Sequence, residues 1–560
     1  MYSQKTNPMT RSCNLTLLCL LLMVDCAPSE SSQNKEGERL TEFIKEFVAA
    51  RETDVGTSEM SAAYFAKELL GTKDQLKTLR TIDFSKLSGD NLIDWKFAQS
   101  ILIGRELQQE KMQSWKKNPR LYMVFTRISN SINKPGEVLD KIMEIEQRLK
   151  VMPSQLENGA QQLARYVPRF QELSVFMAEN GRVLFDKELP AFIAMAGHPA
   201  EILTAPTQAA AAALEKYISF LKDELPKKPP GDFAIGKDTY NAMMEGQFLL
   251  PYDADSLWNY GWNRFNTTVK ELEELGAKIN PTKTWQQLAV EIKHEYPDPH
   301  KMIEVHQEWV DKSATHIRSH DLIPIPWKER VRVVPRAEYL RKTSYYGNFS
   351  SAKALDHDSM YTSEMMINPF EDQWDDQKKQ EYLLEHDWGV IIVTAPHETY
   401  GGHHVQGLYQ LHNPRPLRKN NGISLFSEGW GLYNEQLMQE TGFFPNEKIH
   451  FRQLQLRLWR NARVIYDVGL HTGKMSYEDA IKLMTDQVGF LRWAAQLEVD
   501  SSTAAPGYFI GYFIGMTEIL AMRKDYKEKM GADFSLRDFH ERLLKIGSMP
   551  PSLVRESLMN

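Results

Sequence analysis

Apolar residues recur along this chain at helical spacing far more often than at strand spacing. Leu40, Phe43, Ile44, Phe47 and Val48 fall at i, i+3, i+4, i+7 and i+8, the pattern of one buried helix face. Residues 91–117 predict a long helix stopped near Pro119, and residues 136–151 another entered at Pro135. Residues 207–225 hold five consecutive alanines, Ala209 to Ala213, behind Pro206, which suits a first helical turn. Residues 238–249, 254–276 and 284–294 continue the pattern. The clearest strand is 330–335, where Val331, Val333 and Val334 partly alternate with arginine, and a second non-helical stretch is expected at 345–351. KKPPGD, residues 227–232, reads as a linker between two helical lobes. The fold class expected is mainly α, a large two-lobed helical protein with a small β element.

Two apolar stretches need separate treatment. Residues 503–522, TAAPGYFIGYFIGMTEILAM, are apolar enough to raise a membrane reading. Glu518 interrupts them, Pro506 and Gly507 open them, and no basic flank anchors their start, so a buried helix is expected. Gly507, Gly511 and Gly515 recur every four residues, which lets another backbone approach closely. At the N-terminus, Lys5 and Arg11 precede an apolar run from Leu15 to Val24, too short for a spanning helix and suited to a secretion signal. Residues 1–26 are read as that signal, 27–38 as a polar tether and 39–560 as one large domain. Cys26 follows the apolar run where a bacterial lipoprotein carries its lipidated cysteine, although Asp25 replaces the small residue expected before it. The expected location is the periplasm or cell envelope, with any membrane contact made through a lipid on Cys26.

Composition narrows the chemistry. The chain has 560 residues with a net charge of −7 and 42% hydrophobic residues, which excludes disorder for the bulk of it. Weak acidity argues against a nucleic-acid partner. The three cysteines, Cys13, Cys19 and Cys26, leave the body with none, so it holds neither disulfides nor thiolate metal sites.

Imidazole and carboxylate remain as metal donors, and one segment concentrates them: PHETYGGHH followed by SEGWGLYNE. His397 and Glu398 open it, His403 and His404 follow, and Glu428 comes next. Two neutral histidines and a carboxylate leave a fourth position on zinc open for water, and a further carboxylate can take the water's proton. The spacing departs from two histidines four apart on one helix face. His397 and His403 would stand roughly 240° apart on a regular helix, and His397 and His404 about 10.5 Å apart along its axis. Gly401-Gly402 can break the helix and bring a later histidine back. This reasoning does not choose between His403 and His404.

HETYGGHHVQ resembles the HE-x-x-P-G-H-H-x-Q signature of the domain of unknown function 885 family. SEGWGLYNE, RNARVIYDVGLHTG and PGYFIGYFIGMTEI resemble three further blocks of that family, in the same order. The family is similar to zinc peptidases such as angiotensin-converting enzyme and thimet oligopeptidase, mostly helical with a deep channel between two halves. The resemblance implies His397, His403 and Glu428 as metal ligands, Glu398 as general base and Tyr512 as a donor to the oxyanion. Around them it implies an outer shell of His404, Glu435, Arg463, Asp467 and His471. The last three sit at i, i+4 and i+8, on one helix face able to orient a ligand imidazole. Gly401 stands where the family commonly has proline, and Tyr508 where it commonly has glutamine. The function expected is an exported zinc-dependent hydrolase, a peptidase taking a peptide or small amide. The alternatives are a hydrolase of non-peptide amides or esters, and a non-catalytic binding lipoprotein with a vestigial metal site.

Overall fold

The computed structural model describes residues 30–52, 58–133, 137–336, 341, 347–356 and 358–560. The expected secretion signal and Cys26 lie outside the described residues. Helices dominate, and the named strands form one small three-stranded sheet.

The first amphipathic face belongs to the helix Glu30–Glu52, with Leu40, Phe43, Ile44 and Phe47 buried in the main core. That helix begins inside the expected tether, so 30–38 is not a free polar spacer. Glu36 explains why: its buried carboxylate accepts hydrogen bonds from Asp83 N at 3.0 Å and Arg39 Nη1 at 2.8 Å.

The other predicted helices are present with shifted ends. The helix expected at 91–117 is regular over Gly89–Glu106, widens over Leu107–Met112 and stops at Gln113, which is left-handed. The one expected at 136–151 runs Val138–Gln162, straight through Pro153. Leu149, Met152 and Leu156 stay buried on one face, and their packing outweighs an interior proline's cost of about 3 kcal/mol. Asp253 with Ser256 and Thr284 with Gln287 form capping boxes that start the helices Ala254–Ile279 and Trp285–Lys293.

The linker at 227–232 bounds one helical unit rather than dividing two halves. Tyr122 to Leu225 supply a core of their own, whereas the earlier residues Leu40 to Met112 join the main core with the C-terminal helices.

Strand β1 (Glu329–Pro335) pairs parallel with β3 (Tyr361–Ile367), and β2 (Gly347–Ser350) pairs antiparallel with β3 on its other side. Alternation turns Glu329, Val331 and Val333 of β1 inward, with Ser363, Met365 and Ile367 of β3.

The apolar segment 503–522 is not one helix. The helix Arg492–Ala504 ends, Pro506 and Gly507 make a turn with Gly507 at φ 76°, and a new helix spans Ile510–Met530. No helix among the described residues is long and apolar enough to cross a membrane. The glycine stripe does bring backbones together: a Cβ on Gly515 would lie 1.9 Å from Leu425 O, and one on Gly511 2.8 Å from Ser424 C. This contact seats the Tyr512 helix (Ile510–Met530) against the Glu428 helix (Ser424–Glu440).

Candidate metal centre

His397 stands near the end of the helix Trp388–Glu398. Asp387 caps that helix, accepting from Gly389 N at 2.9 Å and Val390 N at 3.1 Å, and its carboxylate is also held by Arg452. The helix breaks at Thr399 and restarts at His403. Gly401 has φ 95°, a conformation that proline, fixed near −65°, cannot adopt. The break leaves the Pro396 carbonyl without its helical donor, and Asn434 Nδ2 supplies one at 2.9 Å. A Cβ on Gly402 would lie 1.8 Å from His397 O. The turn is therefore tight enough to bring the imidazoles of His397 and His403 to 5.0 Å between centroids, nearly perpendicular at 87°.

The Glu428 helix completes the cluster. Glu428 Oε2 lies 3.3 Å from His403 Nε2 and 3.9 Å from His397 Nε2. His397, Glu398 and His403 offer ligand atoms that all lie within 4.8 Å of one another. One turn of helix past Glu428, Gly431 leaves room for the His397 ring, since a Cβ there would be 2.7 Å from it. Two turns on, Glu435 Oε1 accepts from His397 Nδ1 at 2.8 Å, which leaves Nε2 pointing to the cluster. Arg460 Nη2 stands 3.6 Å behind Glu435 Oε1.

Burial alone would lower the His397 pKa, but the carboxylates of Glu428 and Glu435 beside it carry it up to about 9. Burial would likewise raise the Glu428 carboxyl, yet the charge on His403 and the closeness of both imidazoles hold it well below the usual carboxylate range. The pocket thus concentrates negative charge that calls for a positive partner. A divalent cation meets that demand, and two imidazoles with a carboxylate are donors that zinc accepts. The residues present fit the ion that the motif implies.

Four expected outer residues serve elsewhere. His404 is fully buried, with Nε2 at 2.6 Å from Glu329 Oε2 and Nδ1 at 2.8 Å from Ser363 Oγ. It ties its helix to the sheet, and His403 is the histidine that faces Glu428. The face of Arg463, Asp467 and His471, on the helix Glu447–Thr472, does not orient a ligand imidazole either. Arg463 pairs with Glu498 and lies over the Tyr512 ring, 4.2 Å from its centroid. Asp467 accepts from Tyr240 Oη at 2.8 Å and from Gly507 N at 2.9 Å, and His471 Nε2 donates to Ser502 O at 3.0 Å. This face points at the turn before the Tyr512 helix, and Glu435 alone among the outer residues reaches His397.

The family model described as Bacterial protein of unknown function (DUF885) matches residues 49–558. The chain belongs to that family. Two solved structures share the fold of this family member. One, a "putative lipoprotein of unknown function" from Shewanella oneidensis, has a TM-score of 0.72 and 19% identity, covering 95% of this chain and 100% of that one. The other, a "putative lipoprotein" from Colwellia psychrerythraea, has a TM-score of 0.71 and 16% identity, covering 94% of this chain and 98% of that one. Metallocarboxypeptidase 1 of Trypanosoma cruzi aligns over 95% of this chain and 96% of its own at 12% identity, with a TM-score of 0.34. No curated protein matches the sequence.

In this family member the Tyr512 ring lies parallel to His397 at 6.4 Å. Burial and the charge of Glu428 hold its phenol above its ordinary pKa, so it stays protonated as a donor. Sequence reasoning missed two contacts. Phe349 of β2 comes within 6.3 Å of the His403 ring, and Tyr508 Oη donates to Glu428 Oε1 at 2.6 Å. No local pattern signals either contact, because each joins segments far apart in the chain.

Proposed function

We propose that this protein is an exported zinc-dependent hydrolase acting on peptide bonds. The observation that carries this reading is the approach of Glu428 Oε2 to the Nε2 atoms of both His403 and His397, with Glu398 beside them. His397, His403 and Glu428 would hold the ion. Zinc bound there supplies a Lewis acid for the scissile carbonyl and lowers the pKa of water. Glu398, half-buried beside His397, accepts the proton of the attacking water and passes it to the leaving amine. Tyr512, kept protonated, donates to the oxygen that gains charge as the carbonyl carbon becomes tetrahedral. Substrate approaches from the side where Glu398, His403 and Tyr508 are not fully covered. Peptides and small amides present the carbonyl and leaving amine that this arrangement serves, and no feature of it favours nucleic acid. Export with lipid attachment at Cys26 belongs to the same reading, supported by the signal-like N-terminus and by the names of the two bacterial structures of like fold.

The test is Glu398→Gln in the purified protein. Zinc content should stay that of the wild type while hydrolysis of a peptide library falls about 100- to 10,000-fold. Full retention of activity overturns the mechanism. Turnover confined to an ester or non-peptide amide panel would replace the peptide assignment. Mass spectrometry of the mature N-terminus tests the anchor, which an unlipidated residue beyond Cys26 would refute.

A further inference from the structure

We infer that Tyr508 is a positioning residue of the metal centre: it holds the outer oxygen of Glu428, so that the carboxylate meets the ion through Oε2 alone. The inference rests on the zinc reading above and concerns how the third ligand is presented.

A carboxylate can bind an ion through one oxygen or two, and its hydrogen bonds decide which. Here the two oxygens of Glu428 face different partners. Oε2 faces the Nε2 atoms of His403 and His397 at 3.3 and 3.9 Å, and Oε1 accepts the Tyr508 phenol at 2.6 Å. The length of the Tyr508 contact is that of an O–H donor on a charged acceptor, the strong class of hydrogen bond. An oxygen so engaged is turned away from the ion.

Core packing does not account for Tyr508. The residue is 40% exposed, so burial alone does not hold its ring in place. A buried scaffold fixes it instead. Gly507, immediately before it, has φ 76°, donates its N–H to Asp467 Oδ1 at 2.9 Å, and has Met243 and Phe248 packed where a side chain would be. Asp467 is locked in turn by Tyr240 at 2.8 Å and by Ser502 Oγ at 3.2 Å. His471 holds the carbonyl of the same Ser502. The Asp467–His471 face thus acts on the centre at one remove: it sets a turn, the turn aims a phenol, and the phenol orients a ligand. The neighbouring Tyr512 ring, 6.1 Å away and edge-on at 77°, limits how far Tyr508 can swing.

Partners that orient a ligand typically change metal affinity 10- to 100-fold when removed. The experiment is Tyr508→Phe in the full mature chain, which keeps the ring and removes the hydroxyl. Zinc affinity is read by chelator competition, coordination by the visible spectrum of the cobalt-substituted protein, and folding by circular dichroism. The expected result is zinc affinity about 10- to 100-fold weaker. The cobalt bands should lose intensity, as they do when a second carboxylate oxygen raises the coordination number. Unchanged zinc affinity overturns the inference. Weaker affinity with an unchanged cobalt spectrum overturns it too, because that means general loosening. A wild-type chain that takes up no zinc overturns this inference and the zinc reading together. Zinc uptake without hydrolysis of any peptide removes the peptidase reading and leaves the role of Tyr508 to be decided by the variant.

Discussion

His397 donates through Nδ1 to Glu435 Oε1 at 2.8 Å, and this hydrogen bond decides which nitrogen of the imidazole is free for an ion. Both residues are buried, and the other oxygen of Glu435 has no hydrogen-bond partner. The carboxylate therefore fixes the ring and raises its basicity. Glu435→Gln keeps the shape and removes the charge. Zinc affinity should fall about 10- to 100-fold, measured by chelator competition, with little change in the far-ultraviolet circular dichroism.

Gly402 is where the two site helices are stitched together. Gly402→Ala would push a methyl group against the His397 carbonyl, 1.8 Å from the added carbon, so the backbone joining both ligand histidines must move. A loss of about 2–4 kcal/mol is expected in urea unfolding, together with weaker zinc binding. Gly442→Ala is the control. Its φ is 79° and an added Cβ meets nothing within 4 Å, so it should cost only about 1–2 kcal/mol and leave zinc binding unchanged.

Asp387 anchors the His397 helix from its other end. It caps that helix and pairs with Arg452, and both side chains are buried. Asp387→Ala removes the cap and leaves a buried guanidinium short of its carboxylate, so unfolding in urea should show a loss of about 3–5 kcal/mol.

Three buried histidines contribute to the loss of stability in acid. His306, His386 and His540 are each brought down from 6.5 to about 4 by burial, while their Nδ1 atoms bond to backbone carbonyls. Between pH 6.5 and 4 the unfolded chain takes up protons that the folded chain refuses. Their contribution is present in full above pH 6.5 and declines as the pH falls, by about 1.4 kcal/mol per pH unit for each group. Urea unfolding at successive pH values, with chelator present throughout, should show stability dropping on acidification; a rise would contradict the assignment.

Much of this protein was legible in its sequence, and for a local reason. Helical stripes such as Leu40 to Phe47 depend on positions within one or two turns, and the structure buries them. The helix break at Gly401-Gly402 is also signalled locally, because glycine's own backbone freedom permits it. Donor chemistry followed from counting, since a body without cysteine leaves imidazole and carboxylate.

Tertiary packing decided the rest. His403 and His404 are chemically identical neighbours, and what separates them is Glu428 on one side and Glu329 on the other. Arg463, Asp467 and His471 share a helix face as their spacing requires, yet which segment that face meets was set by the turn at Gly507. Tyr508 reaches Glu428 across 80 residues of chain, and His404 reaches Glu329 across 75. Backbone propensity acts over a few residues, whereas these contacts depend on how whole helices stack, which is why the sequence by itself determined the helices, the break and the donors, and only the folded chain decided which donors meet.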